Sequence, residues 1–244
     1  MEQLFYTKLA KYYDKIYYYI DYIRQAKFIL KLVEGFKTNK GNNLLDVACG
    51  TGTHIQLLKN HFQITGLDKN KEMLEIAKKK NPEIKFVQGD MQTFRLKERF
   101  DIILCYFNSI LYNTTKDELA KTLDNFWSHL NKGGVLIFNS VDKIVGINSI
   151  RAKHRYRSKG VNILFEPQWI YKNKKLYIDI DFVIKGKSEE QLKDTHIMSA
   201  FGFNQIKNLA QKTGFKVNLL EQNYRKVEKL QHYSWQCVFV CEKP

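Results

Sequence analysis

Two rhythms alternate along the first half of the chain. Short apolar runs give way to stretches whose apolar positions fall three and four apart, and then another run begins. Leu44, Leu45 and Val47 make a run suited to a strand buried on both faces. From Thr53 onward Ile55, Leu57 and Leu58 sit among polar residues, as on a helix. Residues 63–67 form a second run, ending at Asp68. Met73, Leu74, Ile76 and Ala77 then mark one helical face. Lys78, Lys79 and Lys80 close that helix as cations suited to its dipole, and read as a solvated cap. Residues 84–88 and 100–105 predict a third and a fourth strand, and 119–130 an amphipathic helix. Gly133-Gly134 turns into a fifth strand over 135–138. Strands alternating with helices imply an α/β, doubly wound, Rossmann-like parallel sheet with right-handed crossovers. Further on, 203–213 predicts a helix closed by Gly214, and 215–220 and 234–240 predict the last strands.

Two regions fall outside this rhythm. Residues 1–40 predict a helical lid. Tyr12, Tyr13, Tyr17, Tyr18, Tyr19 and Tyr22 crowd one short stretch, and helical spacing puts Tyr13, Tyr17 and Ile20 on one face. Ring faces of this kind pack on a sheet or attract a cation. Residues 141–200 predict a small antiparallel β insert over the substrate pocket. Within it 170–171 and 176–184 alternate with period two around Lys172-Asn173-Lys174, a hairpin signature. A third strand follows over 194–198. Ahead of the hairpin, Arg151, Lys153, Arg155, Arg157 and Lys159 alternate strictly, so an extended chain puts them on one face. Such a row either holds a phosphate, with Arg155 and Arg157 as its bidentate members, or guards an exposed strand edge.

Composition narrows the class. At 244 residues the chain suits a single domain with an insert, and 44% hydrophobic content supplies its core. No apolar run is long enough to span a membrane, and the start lacks the basic-then-apolar pattern of a signal peptide. Cys49, Cys105, Cys237 and Cys241 have neither zinc spacing nor a disulfide framework, which points to a reducing cytoplasm. The net charge of +15 admits a nucleic-acid partner, but the lysines are scattered and no aromatic RNA-binding signature accompanies them.

The chemistry concentrates at residues 44–54. Gly50-Thr51-Gly52 follows the first strand directly and opens the first helix, a turn that presents backbone N–H groups to a ligand. The third glycine of a dinucleotide fingerprint is absent, since Ile55 stands there. Asp46 precedes the turn, where a carboxylate repels pyrophosphate and suits a cationic amine. Asp68 lies where an acid reaches ribose hydroxyls, and Gly89-Asp90-Met91 follows the third strand. The loop 106–113 leaves the fourth strand beside the glycine turn, the place where ligands bind in open α/β sheets.

The string Asp46-Val47-Ala48-Cys49-Gly50-Thr51-Gly52 resembles motif I of the class I S-adenosylmethionine (SAM) methyltransferases. With Gly89-Asp90-Met91, Tyr13-Asp14, Tyr17 and the histidine of 194–198, the chain is most similar to the N,N-dimethyltransferases of dTDP-deoxyamino sugars, the desosamine and mycaminose type. The resemblance implies a seven-stranded, mostly parallel sheet whose last strand is antiparallel, between the fifth and sixth. It implies SAM as cofactor, S-adenosylhomocysteine as product and no metal. Tyr13, Tyr17, Asp46, Ala48, Gly50, Gly52, Asp68, Lys69, Asp90, Met91 and Tyr106 are its cofactor residues. Tyr112 and His196 are the candidate catalytic pair, and Asn108, Arg155 and Arg157 the candidate substrate contacts. The expected acceptor is a small molecule, an anionic nucleotide-linked amino sugar being the sharpest form. RNA or protein methylation on the basic surface and a non-catalytic SAM-binding subunit are the alternatives, and a homodimer stays open. One departure stands out: the sugar enzymes follow strand five with Glu-Pro-Trp-Trp, and here the residues are Asn139-Ser140-Val141-Asp142.

Overall fold

A computed structural model describes residues 3–142, 149–158, 161–186, 188–230 and 234–244. The central sheet takes strands from both halves of the chain. They are β1 (Asn43–Val47), β2 (Gln63–Asp68), β3 (Lys85–Gln88), β4 (Phe100–Cys105) and β5 (Leu130–Val141), joined by two strands from the end of the chain. Those two, the eleventh and twelfth in chain order, are Lys216–Glu221 and Gln236–Glu242. The spatial order is eleventh, twelfth, β5, β4, β1, β2, β3. The twelfth strand runs antiparallel to both its neighbours, and the other pairings are parallel. The seven-stranded, mostly parallel expectation therefore holds.

Period two along buried strands splits the core between the sheet's faces. Leu45, Val47, Ile103, Cys105, Leu136 and Phe138 pack on one side. Leu44, Ile102, Leu104, Val135 and Ile137 pack on the other, under Phe28, Ile29 and Leu32. The fifth strand is longer than the apolar run 135–138. It begins at Leu130 and passes Gly133 at φ +74°, tied in by the Gly133 N–H to the Lys243 carbonyl. All four cysteines are unpaired; Cys237 and Cys241 share one strand.

Helices cover the sheet: α1 (Tyr13–Ile16), α2 (Tyr22–Phe36), α3 (Thr53–Leu58), α4 (Lys71–Lys80), α5 (Lys116–His129) and α6 (Phe203–Thr213). The expected helical lid over 1–40 is only partly helical. Leu4–Tyr6 and Ala10–Tyr12 are single 3₁₀ turns, α1 is one turn long, and α2 begins afresh where the Asp21 carboxylate accepts from the Arg24 N–H at 2.9 Å. Aromatic side chains are indifferent helix formers, and here they are pulled apart by partners on other elements. Tyr13 and Tyr17 still meet edge to face at 4.9 Å, but Ile20 lies beyond the break.

The insert is larger than three strands. It contains β6 (Ser149–Arg151), β7 (His154–Ser158), β8 (Val161–Lys172), β9 (Lys175–Lys185) and β10 (Glu189–Ser199), all antiparallel. The hairpin turn is Asn173-Lys174, both at positive φ, as a two-residue type I′ loop requires. Ile163, Phe165, Ile180 and Phe182 join the core of the main sheet. Phe5, from the N-terminal segment, packs between them, 5.8 Å from Phe165 and 5.5 Å from Phe182.

Candidate active site

Two cavities of about 480 Å³ each lie beside the carboxyl ends of the parallel strands. The first is built by the segments that follow β1, β2, β3 and β4. The turn after β1 holds Ala48 at φ +56° and Gly50 at φ +56°. Ala48 carries the strain of a left-handed residue with a side chain, a feature concentrated at binding sites. Gly50 faces open space, so a ligand can approach the backbone there closely. Gly52 does something else. A Cβ there would meet Asn81 Nδ2 at 3.0 Å and Ala77 Cβ at 3.2 Å. It packs the start of α3 against α4 and is not among the residues lining the cavity.

Three acids line this cavity. Asp46 is 4% exposed, and burial together with the charge of Asp68 pushes its carboxyl up to about 8. Asp68 accepts from the Gly50 N–H and the Asn70 N–H, each at 2.8 Å, and so pins the glycine turn to the end of β2. Burial raises its carboxyl, against the pull of those N–H groups. Asp90 accepts from the Gln92 N–H at 2.9 Å and pairs with Lys69 at 2.9 Å. Burial works to raise Asp90, but the Gln92 N–H and Lys69 hold it below the usual carboxylate range. Lys69 thus reaches the site as a partner of Asp90. Met91, Tyr13 and Tyr106 also line the cavity. His54, absent from the sequence expectations, faces it as a neutral ring. Burial lowers it to about 4, and its Nε2 meets Gln25 Oε1 at 2.9 Å.

The second cavity lies between the main sheet, the insert and the N-terminal segment. Tyr17 lines this cavity and not the first, because α1 ends before it. Asn108 lines it as well, in a loop where Phe107 (φ +61°) and Asn108 (φ +60°) are both left-handed. The loop is held by reciprocal bonds. The Asn108 N–H donates to Asn139 Oδ1, and Asn139 Nδ2 donates to Asn108 Oδ1, both at 3.0 Å. Tyr6, Phe107 and Tyr112 line both cavities and so stand between them.

A hydrogen-bonded row starts at that wall. The Tyr6 and Tyr112 hydroxyls meet at 2.7 Å, and Tyr112 Oη lies 2.5 Å from His196 Nδ1. His196 Nε2 lies 3.1 Å from Asp194 Oδ2. With Asp194 accepting from Nε2–H, Nδ1 of a neutral ring accepts from Tyr112, and Tyr6 donates to Tyr112. Asp194 also accepts from the Phe5 N–H at 2.7 Å and the Thr195 N–H at 3.0 Å. Burial works to raise Asp194, but His196 and these N–H groups keep it below the ordinary range, and it stays anionic. Burial pushes both tyrosine hydroxyls well up. Tyr6 and Asp194 were missed in the sequence. The period-two burial of Asp194, His196 and Met198 along β10 was the available signal for Asp194.

Arg155 and Arg157 do not join the site. Alternation along β7 turns them to solvent, while His154 lines the second cavity. The expected single row is broken at residues 152–153, between β6 and β7. Arg151 lies 3.9 Å from Asp181 and Lys153 2.7 Å from Glu166, while Lys159 lies outside the described residues. Lys80, expected as a solvated cap, instead joins the lid to the glycine turn. It pairs with Asp14 at 2.8 Å, and Asp14 accepts from Thr51 Oγ1 at 2.6 Å.

Comparison with known proteins agrees with this geometry. Residues 44–134, from β1 through the glycine turn into β5, match the family model described as a methyltransferase domain. The chain is 29% identical over 82% of its length, and 86% of the relative's, to the dTDP-3-amino-3,4,6-trideoxy-alpha-D-glucopyranose N,N-dimethyltransferase of Streptomyces venezuelae. It is 38% identical to the dTDP-3-amino-3,6-dideoxy-alpha-D-glucopyranose N,N-dimethyltransferase of Streptomyces fradiae, over 48% of this chain and 46% of that one. Here the match spans less than half of the relative. The crystal structure of Streptomyces venezuelae DesVI superposes with a TM-score of 0.82, at 26% identity and 92% coverage of both chains.

Proposed function

We propose that the protein moves a methyl group from SAM to a small-molecule acceptor, the amine of a nucleotide-linked amino sugar. The observation that carries the reading is the pair of adjoining cavities divided by Tyr6 and Tyr112. One is lined by acids and an open glycine turn; the other adjoins it at the shared wall. SAM fits the first on its chemistry. It carries a sulfonium and an ammonium, and a buried Asp46 held neutral beside Asp68 is a site that lacks a cation. Asp68 and Asp90 stand where ribose and adenine donors are expected, and Met91 beside the ring. The likeness to the dTDP-amino-sugar enzymes supports an amine acceptor.

Bound SAM supplies an already activated methyl group, so no metal is required. The chain's residues do the rest by holding, drying and deprotonating. Rings of the N-terminal segment exclude water. The wall residues fix the acceptor nitrogen in line, which is proximity catalysis. A protonated amine must first lose a proton. Tyr112, too weak an acid to sit ionised, takes that proton while passing its own to His196 Nδ1, and the Asp194 carboxylate steadies the resulting imidazolium. The neutral amine so formed would be held by the wall residues with its lone pair free to accept the methyl group that bound SAM would supply. The four unpaired cysteines favour a reducing cytoplasm as the setting.

The test is a methyl-transfer screen with labelled SAM against amines, including dTDP-amino sugars, with tRNA alongside. Methylation of an amino sugar is expected. Calorimetry that detects neither SAM nor S-adenosylhomocysteine would overturn the cofactor assignment.

A further inference from the structure

Lys80 does more than cap a helix, and the methyl transfer described above does not use it. It is the last residue of α4, and its ammonium reaches three oxygens. They are Asp14 Oδ2 at 2.8 Å, Thr53 Oγ1 at 2.9 Å and Thr51 Oγ1 at 3.3 Å. An ammonium has three hydrogens and accepts nothing, so this set matches all of them. Each threonine hydroxyl accepts from Lys80 and is left to donate to Asp14 Oδ1, Thr51 at 2.6 Å and Thr53 at 3.3 Å. The four side chains form a closed network of donors and acceptors. The next residue, Asn81, donates from Nδ2 to the Gly52 carbonyl at 3.2 Å. The end of α4 therefore grips the glycine turn both by its backbone and by its hydroxyls.

The network lies behind the cofactor cavity. Thr51 and Thr53 line that cavity, as does Tyr13, the neighbour of Asp14, whereas Asp14 and Lys80 line neither cavity. Whatever Asp14 and Lys80 do, they do through those neighbours. α1 is a single turn, Tyr13–Ile16, far too short to hold itself in water. Its upstream chain is anchored on β10, where Asp194 accepts from the N–H of buried Phe5 and Glu190 pairs with Lys8. Asp14 ties the other end to the glycine turn. A lone ion pair as exposed as this one contributes little, but a network that shares its charge among four side chains can exceed the sum of its pairs.

We propose that Lys80 and Asp14 are positioning residues, a polar latch that holds the N-terminal lid to the glycine turn and sets how long the cofactor stays bound. The latch, which presupposes the methyl-transfer reading above, keeps Tyr13, Thr51 and Thr53 in place before a ligand arrives. When it is broken, part of the population has α1 out of place, and apparent affinity falls by the fraction that remains in place. The transfer step itself is untouched, since neither residue reaches the wall of Tyr6 and Tyr112.

The experiment follows release of S-adenosylhomocysteine by stopped-flow displacement from the full-length protein, from Lys80→Met, from Asp14→Asn and from the double variant. Each single variant should release it about fivefold faster and raise KM for SAM by about the same factor, with the single-turnover rate at saturating SAM unchanged. The double variant should be no worse than either single one, because each alone opens the same latch. In the ligand-free protein, amide exchange across residues 13–17, where the Tyr17 N–H donates to the Tyr13 carbonyl, should quicken in every variant. High salt should speed release from the parent and hardly affect Lys80→Met, since screening acts on the charges and not on packing. Asp14→Asn keeps the shape of the side chain and carries the test if Lys80→Met melts early. Release within about twofold of the parent's, or single effects that multiply in the double variant, overturns the latch and leaves the methyl-transfer reading intact. A parent protein that binds neither SAM nor S-adenosylhomocysteine overturns both.

Discussion

The two cavities have the same volume and share a wall, yet they are built in opposite ways. The first is made from the ends of neighbouring parallel strands. Each acid sits within a few residues of its strand's carboxyl end, and Asp68 secures the turn across the short gap between β1 and β2. The second draws on the N-terminal segment, the loop after β4, the end of β5, the insert, and Gln222, Tyr224, Trp235 and Gln236. One cavity is rich in carboxylates, and the other in rings and amides. A parallel sheet dictates where a cofactor must lie, whereas an acceptor site assembled from distant segments is free to change without disturbing it.

The largest effect expected is at the shared wall. Tyr112→Phe keeps the ring and removes the relay, so kcat should fall about 100-fold at neutral pH, with a smaller loss where the free amine is already neutral. An unchanged single-turnover rate would remove Tyr112 from proton transfer. On the cofactor side, Asp68→Ala should weaken SAM binding by about 1–3 kcal/mol; calorimetry that finds equal affinity would break the ribose assignment.

Asp46 gives a pH signature. Its carboxyl is raised from an unfolded value near 4 to about 8. Cation binding needs the charged form, so SAM should bind more tightly as pH rises toward 8, by up to about tenfold per unit, and level off above it. Stability runs the other way. Between those two values the folded state holds a proton the unfolded state has lost, so stability falls as pH rises through the window. Asp46→Asn should therefore flatten the binding profile and melt a few degrees above the parent at pH 8, with the difference fading near pH 4. A parallel shift at all pH values would break this account.

The smallest effect sharpens the contrast from the other side. Arg155→Ala and Arg157→Ala should leave kcat/KM within about twofold, as expected of exposed charges away from a site, while raising aggregation if they guard the edge of β7. A tenfold rise in KM would place these arginines at the acceptor.

The glycine turn and Asp46, Asp68 and Asp90 were readable in the chain because strand, turn and helix follow one another within a few residues and each signal is local. The parallel, doubly wound character of the sheet was readable for the same reason, through alternation, whereas the antiparallel last strand came only with the family resemblance. The second cavity was not. Tyr6 and Asp194 stand far apart in sequence and meet only through Phe5 and His196. The cations of 151–159 read as one row because nothing local announces the break between β6 and β7. Lys80 reads as a helix cap until folding brings Asp14 beside it. The tyrosine run looks helical until partners on the insert divide it.

Tyr6 and Tyr112 have a consequence beyond chemistry. The same two rings line both cavities, so on the proposed reading any ordering of them by one ligand would also serve the other. The loss of freedom is then met once and not twice. Thermodynamic linkage makes the effect reciprocal: if SAM improves acceptor affinity by some factor, the acceptor improves SAM affinity by that factor. A wall shared in this way favours the doubly filled state over either half-filled one.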